Sequence, residues 1–116
     1  MELYLDTSSF TAHIILTNPQ TGEAFEYHDD LGREMAEKLL SVLREHLAEH
    51  NKTFHQLSKI TFMSGPGSFT GLRIGATIVN TLAHELHIPL FDHHGNEHDL
   101  ILPDYGRPAN ISRPRK

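Results

Sequence analysis

The sequence of 116 residues contains no cysteine. In this chain that absence excludes thiolate zinc sites, iron–sulfur clusters, cysteine nucleophiles and disulfide bonds, and it is typical of cytoplasmic proteins. The sequence also lacks any run of about 18 to 20 apolar residues. Its start, MELYLDTSSF, has no basic segment followed by an apolar one, as a secretory signal would. We therefore expect a cytoplasmic protein that is neither secreted nor inserted in a membrane.

Positive charge is scarce as well. Ten Lys and Arg residues stand against fifteen Asp and Glu residues, which gives a formal net charge of −5. A free-standing nucleic-acid binder needs clustered Lys and Arg to neutralise phosphates, so this charge argues against that class. Protonation of the ten histidines would shift the balance near neutral pH. Four basic residues lie in the last ten positions and make the end of the chain basic: Arg107, Arg113, Arg115 and Lys116.

The first half of the sequence predicts an antiparallel meander of three strands followed by a helix. The predicted strands are residues 3–6, 11–17 and 23–29. From Leu31 to about His50 the apolar residues recur with the period of a helix. Asp29 or Asp30 is predicted to cap the start of this helix, and Asn51 to end it.

The second half predicts a strand, a glycine-rich loop, a helix and a last strand. The strands are residues 59–64 and 88–92, and the helix is residues 69–87. The order βββαβαβ predicts an α/β fold, a single ribonuclease-H-like domain with a mixed five-stranded sheet and helices mainly on one side. We assign this domain to residues 1–94. Residues 95–116 are polar and without period, so we expect an ordered edge at most and a mobile end.

The glycine-rich loop allows two interpretations. A glycine loop between a strand and a helix can bind phosphate through its backbone N–H groups. However, Gly65, Gly67 and Gly71 are spaced one residue off the dinucleotide fingerprint, and no Lys follows as in a Walker A loop. The alternative is that the loop only shapes the chain. In that interpretation the glycines permit unusual backbone angles, and these residues start the helix: Gly65, Pro66, Gly67, Ser68 and Thr70, with Ser68 or Thr70 as its cap.

Two glycines lie inside the predicted helix, at Gly71 and Gly75. A glycine costs a helix about 1 kcal/mol relative to alanine, so this spacing indicates that another backbone approaches closely. The approaching surface is the domain's own sheet, its first helix or a partner chain. From spacing alone we favour packing within the fold.

The segment SGPGSFTGLRIGATIVNTLA, residues 64–83, closely resembles the signature of the TsaB (YeaZ) family. That family typically has GPGSFTGLRIG in this position after an N-terminal DTS, which this chain has as Asp6, Thr7 and Ser8. The resemblance covers about residues 3 to 94. Family members usually run to about twice this length, so the resemblance implies a short form that lacks a second half domain.

The resemblance further implies the actin-like ATPase fold, built from two ribonuclease-H-like halves, without the catalytic site of the paralogue TsaD. TsaB proteins bind TsaD and, with TsaE, support synthesis of N6-threonylcarbamoyladenosine at position 37 of tRNA. The expectation for this chain is a non-catalytic scaffold and activator that needs no cofactor and meets tRNA only through the complex. Asp6, Thr7 and Ser8 would be a degenerate phosphate loop.

TsaB proteins contact TsaD mainly through the helices of their first half. We therefore expect partner-facing or close-packing helix faces at Met35, Leu39, Leu43, Gly71, Leu72, Ile74, Gly75, Ile78 and Leu82. Exposed apolar helix faces self-associate when a partner is absent, so a homodimer is expected in isolation.

Motifs for peptidase, hydrolase or metal-binding chemistry have weaker support in the sequence. HELH, residues 84–87, is one residue short of the zincin motif, and Ser64 has no G-x-S-x-G context. His46 and His50 have the i, i+4 spacing of metal ligands. The segment DHHGNEHD, residues 92–99, also has ligands for Zn²⁺ or Ni²⁺, but we interpret it as a solvated loop and predict no metal site. The alternative function is a small nucleotide- or metal-binding enzyme of ribonuclease-H-like fold.

Overall fold

A six-stranded mixed sheet carries two α-helices on one of its faces. The computed structural model describes residues 1–104. Its elements are β1 (Glu2–Asp6), β2 (Thr11–Thr17), β3 (Ala24–Asp30), α1 (Met35–Glu49), β4 (Lys59–Phe62), α2 (Phe69–Leu86), β5 (Leu90–Asp92) and β6 (Glu97–His98). Neither helix in this part of the chain has the length and apolar character that a membrane span requires.

The strands lie in the order β3-β2-β1-β4-β5-β6. β1 pairs in parallel with β4, and β4 with β5, whereas the other pairs are antiparallel. This arrangement confirms the predicted antiparallel meander and the predicted mixed sheet. β6 is one strand more than the predicted five, because two residues are too short a segment to show a period in the sequence.

Alternation along the strands divides the sheet into two faces. In β1 and β2 every second residue is buried, and those residues pack with both helices in one core. The side chains between them, such as Tyr4 and His13, point to the other face and are half-buried. The helices therefore cover one face of the sheet, as predicted.

The core takes the apolar stripes of both helices. α1 contributes Met35, Leu39, Leu43 and Leu47, and α2 contributes Leu72, Ala76, Val79 and Ala83. Met35, Leu39, Leu43 and Leu72 are each at most 1% exposed. Of the two predicted alternatives, a partner-facing or a close-packing position, the structure therefore shows close packing for these four residues. Each helix needs its apolar stripe to bury the sheet, so the same stripe is not available to another chain.

The start of α1 also differs from the prediction. Asp29 and Asp30 do not cap it, because both still pair with β2 as the last residues of β3. Gly32–Glu34 form a 3₁₀ turn before α1, and the N-cap residue Glu34 makes no side-chain capping bond. At the other end, Asn51 has φ of 58°, a conformation that does not continue a helix.

The segment after β5 packs on the domain as far as residue 104. The Asn80 side chain on α2 donates to the carbonyl of Ile101 (2.9 Å) and accepts from its N–H (2.8 Å). Ile101 is 2% exposed and belongs to the core. The prediction allowed an ordered edge here, which β6 is, but did not anticipate the burial of Ile101. The predicted mobile end and its four basic residues lie outside the described residues.

Leu39 and Leu40 are adjacent on α1 but lie on opposite sides of the boundary between core and surface, at 0% and 43% exposure. We expect Leu39→Ala to lower the free energy of unfolding by about 2–5 kcal/mol, because it leaves a cavity in the core. Leu40→Ala is the matched control and should change it by no more than about 0.5 kcal/mol. Urea unfolding followed by circular dichroism measures both. Equal losses would contradict the observed orientation of α1.

Candidate functional site

The loop before α2 packs directly against the segment that follows β1. The Ser68 N–H donates to the carbonyl of Ser8 (2.7 Å), and the buried Thr7 hydroxyl donates to the carbonyl of Gly71 (2.7 Å). Ser68 also caps α2, since its hydroxyl accepts from the N–H of Gly71 (3.2 Å). Of the two predicted caps the structure therefore selects Ser68, while Thr70 lies exposed in the first turn.

Three glycines of this region face the segment that follows β1. A Cβ atom at Gly71 would meet the carbonyl oxygen of Thr7, and one at Gly75 would meet the Thr7 hydroxyl and lie 2.6 Å from the Phe62 ring. At Gly67 it would lie 2.5 Å from the Cβ of Ser8. The structure thus shows Gly71 and Gly75 in close packing and not at a partner interface, the two alternatives that the sequence left open. The surface that approaches them is the domain's own sheet, the alternative that spacing alone favoured.

These contacts occupy backbone N–H groups that would otherwise be free to bind a phosphate. The N–H of Ser68 is bonded to Ser8, and the N–H groups of Gly71 and Leu72 are bonded to the side chain and carbonyl of Ser68. The Asp6 carboxylate accepts from the N–H of Ser8 (2.8 Å). The segment Asp6, Thr7, Ser8 therefore serves as a packing partner for the loop. The geometry favours the shaping interpretation over phosphate binding.

Asp92 organises the turn between β5 and β6. One carboxylate oxygen accepts from the N–H groups of His94 (2.8 Å) and Asn96 (3.0 Å), and the other bonds to Nε2 of His98 (2.7 Å). The His98 hydrogen bond, together with the two backbone N–H groups, holds the pKa of Asp92 far below its usual value. The segment interpreted as a solvated loop is thus an ordered hairpin.

The remaining histidine motifs have structural roles. His46 Nε2 lies 2.7 Å from Oδ2 of Asp29, and His50 Nε2 lies 2.7 Å from the Tyr27 hydroxyl. Both contacts fasten α1 to β3. His87 follows the end of α2 with φ of 55°, so the spacing of three in HELH does not place His84 and His87 on one helical face.

A groove opens between the outer sides of α1 and α2. This α1–α2 groove encloses about 400 Å³ and is lined by Ala36, Thr70, Arg73, Ile74, Thr77 and Ile78. A second hollow of about 230 Å³ shares Thr70 and Ile74 and extends the surface to Phe10. Arg73 is the one charged residue of the groove lining, so most of this surface is apolar or carries methyl groups.

Three large apolar side chains lie exposed on this side of the molecule: Phe10 (51%) just before β2, Leu40 (43%) on α1 and Phe69 (55%) at the start of α2. Ala36 and Leu40 are one helical turn apart, so they lie on the same side of α1. Of the predicted partner residues, Ile74 and Ile78 line the groove, and Leu82 is half-buried against the core. Phe10 and Phe69 were missed, although an aromatic residue next to a turn and one at a helix start are signals that a sequence can provide.

The chain is similar to known proteins in both sequence and structure. Residues 28–96 match the family model described as TsaD, tRNA N6-adenosine threonylcarbamoyltransferase. The chain is 38% identical over 88 residues to the tRNA threonylcarbamoyladenosine biosynthesis protein TsaB of Bacillus subtilis strain 168, and 33% identical over 88 residues to that of Haemophilus influenzae. Each match covers 76% of this chain.

Solved structures agree. The fold is similar to YeaZ from Pseudomonas aeruginosa, with a TM-score of 0.71 and 33% identity over 78% of this chain. A second structure, of an uncharacterized protein with similarity to peptidase YEAZ from the same organism, gives a TM-score of 0.72. These likenesses confirm the predicted ribonuclease-H-like α/β fold. The chain spans 38% and 36% of the two TsaB relatives, and 42% and 41% of the two solved chains.

The hydrogen bond from the buried Thr7 hydroxyl can be used to test whether the contact between the end of β1 and α2 stabilises the fold. We expect Thr7→Val to lower the free energy of unfolding by about 1 kcal/mol, because it keeps the shape of the side chain but removes the bond to Gly71. Thr81→Val, at an exposed position of the same helix, is the control and should cost no more than about 0.5 kcal/mol. Urea unfolding decides the question. A Thr7→Val variant as stable as the native chain would show that this hydrogen bond does not stabilise the contact between β1 and α2.

Asp92 predicts a dependence of stability on pH. Because its pKa in the folded chain is depressed, its contribution is present above the unfolded pKa of about 3.9 and is lost as pH falls toward the folded pKa. Asp92→Asn should therefore destabilise the chain at pH 6, and the difference from the native chain should shrink at pH 3. Unfolding free energies at both pH values measure this, with Asp99→Asn as the control for loss of one exposed charge. A difference that does not change with pH would contradict the assignment.

Proposed function

Since this chain belongs to the TsaB (YeaZ) family, we propose that it is a non-catalytic scaffold and activator in the synthesis of N6-threonylcarbamoyladenosine at position 37 of tRNA. In this proposal it pairs with TsaD, and TsaE acts with the pair. The two relatives named above are tRNA threonylcarbamoyladenosine biosynthesis proteins, which supports the pathway. The observation that carries the scaffold role is the α1–α2 groove.

The groove has the features of a docking surface. It is concave, mostly apolar and flanked by the exposed Leu40 and Phe69 side chains. Exposed apolar patches on small proteins commonly mark interaction sites. Arg73 lies at the groove with its guanidinium 5.7 Å from the centre of the Phe69 ring. Arg and aromatic residues are enriched at the centres of protein interfaces, so this pair is suited to anchor a partner.

The packing of the loop supports the non-catalytic part of the proposal. The Thr7 hydroxyl is bonded to the Gly71 carbonyl, and the Ser8 carbonyl is bonded to the Ser68 N–H. Both carboxylate oxygens of Asp92 accept hydrogen bonds within the β5–β6 hairpin. Asp6 and Asp92 end β1 and β5, which are separated by β4. Two-metal nucleic-acid chemistry needs carboxylates that converge. The alternative, a nucleotide- or metal-binding enzyme of this fold, therefore has less support from the phosphate loop and these two carboxylates.

The charge of the chain supports an indirect relation to tRNA. With a formal net charge of −5, it is poorly suited to neutralise phosphates by itself, so tRNA would be held by the assembled complex in the cytoplasm. Without its partner, the same apolar groove would favour a symmetric homodimer. TsaD would then displace the second copy of this chain from the groove.

Ala36 allows this surface to be tested without disturbing the core. It is exposed on α1 and lines the groove. We expect Ala36→Arg to abolish a stable complex with the TsaD of the same organism, because a buried unpaired charge in an interface costs about 2–5 kcal/mol. The measurement is co-expression followed by size-exclusion chromatography with light scattering.

Ala48→Arg is the matched control. Ala48 is also exposed on α1, but it lies twelve residues further along, roughly 18 Å from Ala36. This variant should form the complex as the native chain does, and circular dichroism should show both variants folded. Failure of the native chain to bind TsaD would overturn the scaffold proposal. A complex that tolerates Ala36→Arg would place the interface away from the groove.

A further inference from the structure

Three potential metal ligands converge on the face of the sheet opposite the helices: His13 on β2, and Glu26 and His28 on β3. His13 and His28 are directly opposite each other in the antiparallel pair. Glu26 is two residues before His28, so its side chain points to the same face. One ligand atom from each residue lies within 4.8 Å of the others.

The side chains already point at a common position. His13 Nε2 is 2.5 Å from Oε2 of Glu26, and His28 Nε2 is 3.5 Å from the same oxygen. The two imidazole rings stack with their centres 4.3 Å apart and 11° between their planes. The ring of Tyr4, on β1, packs edge-on against His13 at 5.7 Å. Paired strands and ring packing thus hold both imidazoles near one carboxylate.

The ligand set suits a cation, because a carboxylate supplies negative charge and neutral imidazole nitrogens supply lone pairs. The His28 and Glu26 side chains are 60% and 55% exposed, and that of His13 is 26% exposed. A metal ion can reach the three ligands from solvent and replace protons between them.

We propose that His13, Glu26 and His28 form a three-ligand site for a divalent transition metal ion, Zn²⁺ in the first place. Two histidines and one glutamate are an established zinc ligand set, with a fourth position open to water or another group. Donor atoms around tetrahedral Zn²⁺ lie roughly 3.3 Å apart, and the three ligand atoms here lie within 4.8 Å of one another, so the stacked imidazoles would rotate to direct both Nε2 atoms at one ion. The sequence contains no thiolate that would compete for the ion.

The proposed site differs from the histidine-rich β5–β6 hairpin, residues 92–99, in how its ligand atoms are occupied. There, Asp92 is occupied by two N–H groups and His98, and His93 Nδ1 lies 3.3 Å from the N–H of Ser64. In the proposed site the carboxylate and both imidazoles are committed chiefly to one another. A bound ion would link β2 to the edge strand β3, and its affinity would fall at low pH because the imidazoles must be neutral to bind.

The test is titration of the native chain with Zn²⁺ by calorimetry, with Co²⁺ absorption as a report of tetrahedral coordination. We expect one ion per chain and a rise in Tm of roughly 5 °C at tenfold excess over Kd. His28→Gln should weaken binding at least tenfold and reduce this rise to about 1.5 °C or less at the same Zn²⁺ concentration. Glu26→Gln should do the same, so the test does not depend on one variant remaining folded, which circular dichroism verifies.

His94→Gln is the matched control. It removes an exposed histidine from the β5–β6 hairpin and should leave affinity and stoichiometry unchanged. The proposal would be overturned if no binding tighter than millimolar is found, or if His28→Gln and Glu26→Gln bind Zn²⁺ as the native chain does. Binding lost in His94→Gln but kept in His28→Gln would assign the ion to the hairpin and likewise refute it.

Discussion

The close approach of α2 to the end of β1 is the constraint on which the other features of the molecule depend. Gly71 and Gly75 have no side chains where Thr7 and Phe62 come nearest, so the helix axis can lie directly over the sheet. The Thr7 hydroxyl and the Ser8 carbonyl then bond to the first turn of the helix and the loop before it. Once α2 is placed, its apolar stripe and that of α1 share one core over the same face of the sheet.

The same contact decides the chemistry of the glycine loop. Loops of this composition bind phosphate where their N–H groups remain free and the helix N-terminus faces an open space. Here the neighbouring segment of the chain occupies that position, and Ser68 caps the helix from within. The two binding surfaces that we propose are ones that packing leaves uncovered. One is the α1–α2 groove, proposed to dock a protein partner, and the other is the open sheet face with its histidine–glutamate cluster.

The two faces of the sheet differ for a simple reason. On the covered face, side chains of β1, β2 and β4 are apolar and close-packed. On the open face, β2 and β3 carry polar and titratable side chains that interact mainly with one another, as His13, Glu26 and His28 do. Alternation along a strand makes both arrangements possible within the same few residues. A short strand can thus serve the core and a surface site at once.

Much of the fold was determined by local sequence. Periods of two and 3.6 predicted seven of the eight α-helices and strands in residues 1–104, and the GPGSFTGLRIG segment identified the family and narrowed the cap of α2 to Ser68 or Thr70. Local patterns do not record which neighbour covers an apolar stripe. The sequence therefore left open whether Met35, Leu39 and Leu43 contact a partner, and the structure shows that they are buried in the core. Only the tertiary structure joined Thr7 to Gly71 across the fold and set His13 beside His28, because those contacts depend on how separate segments pair.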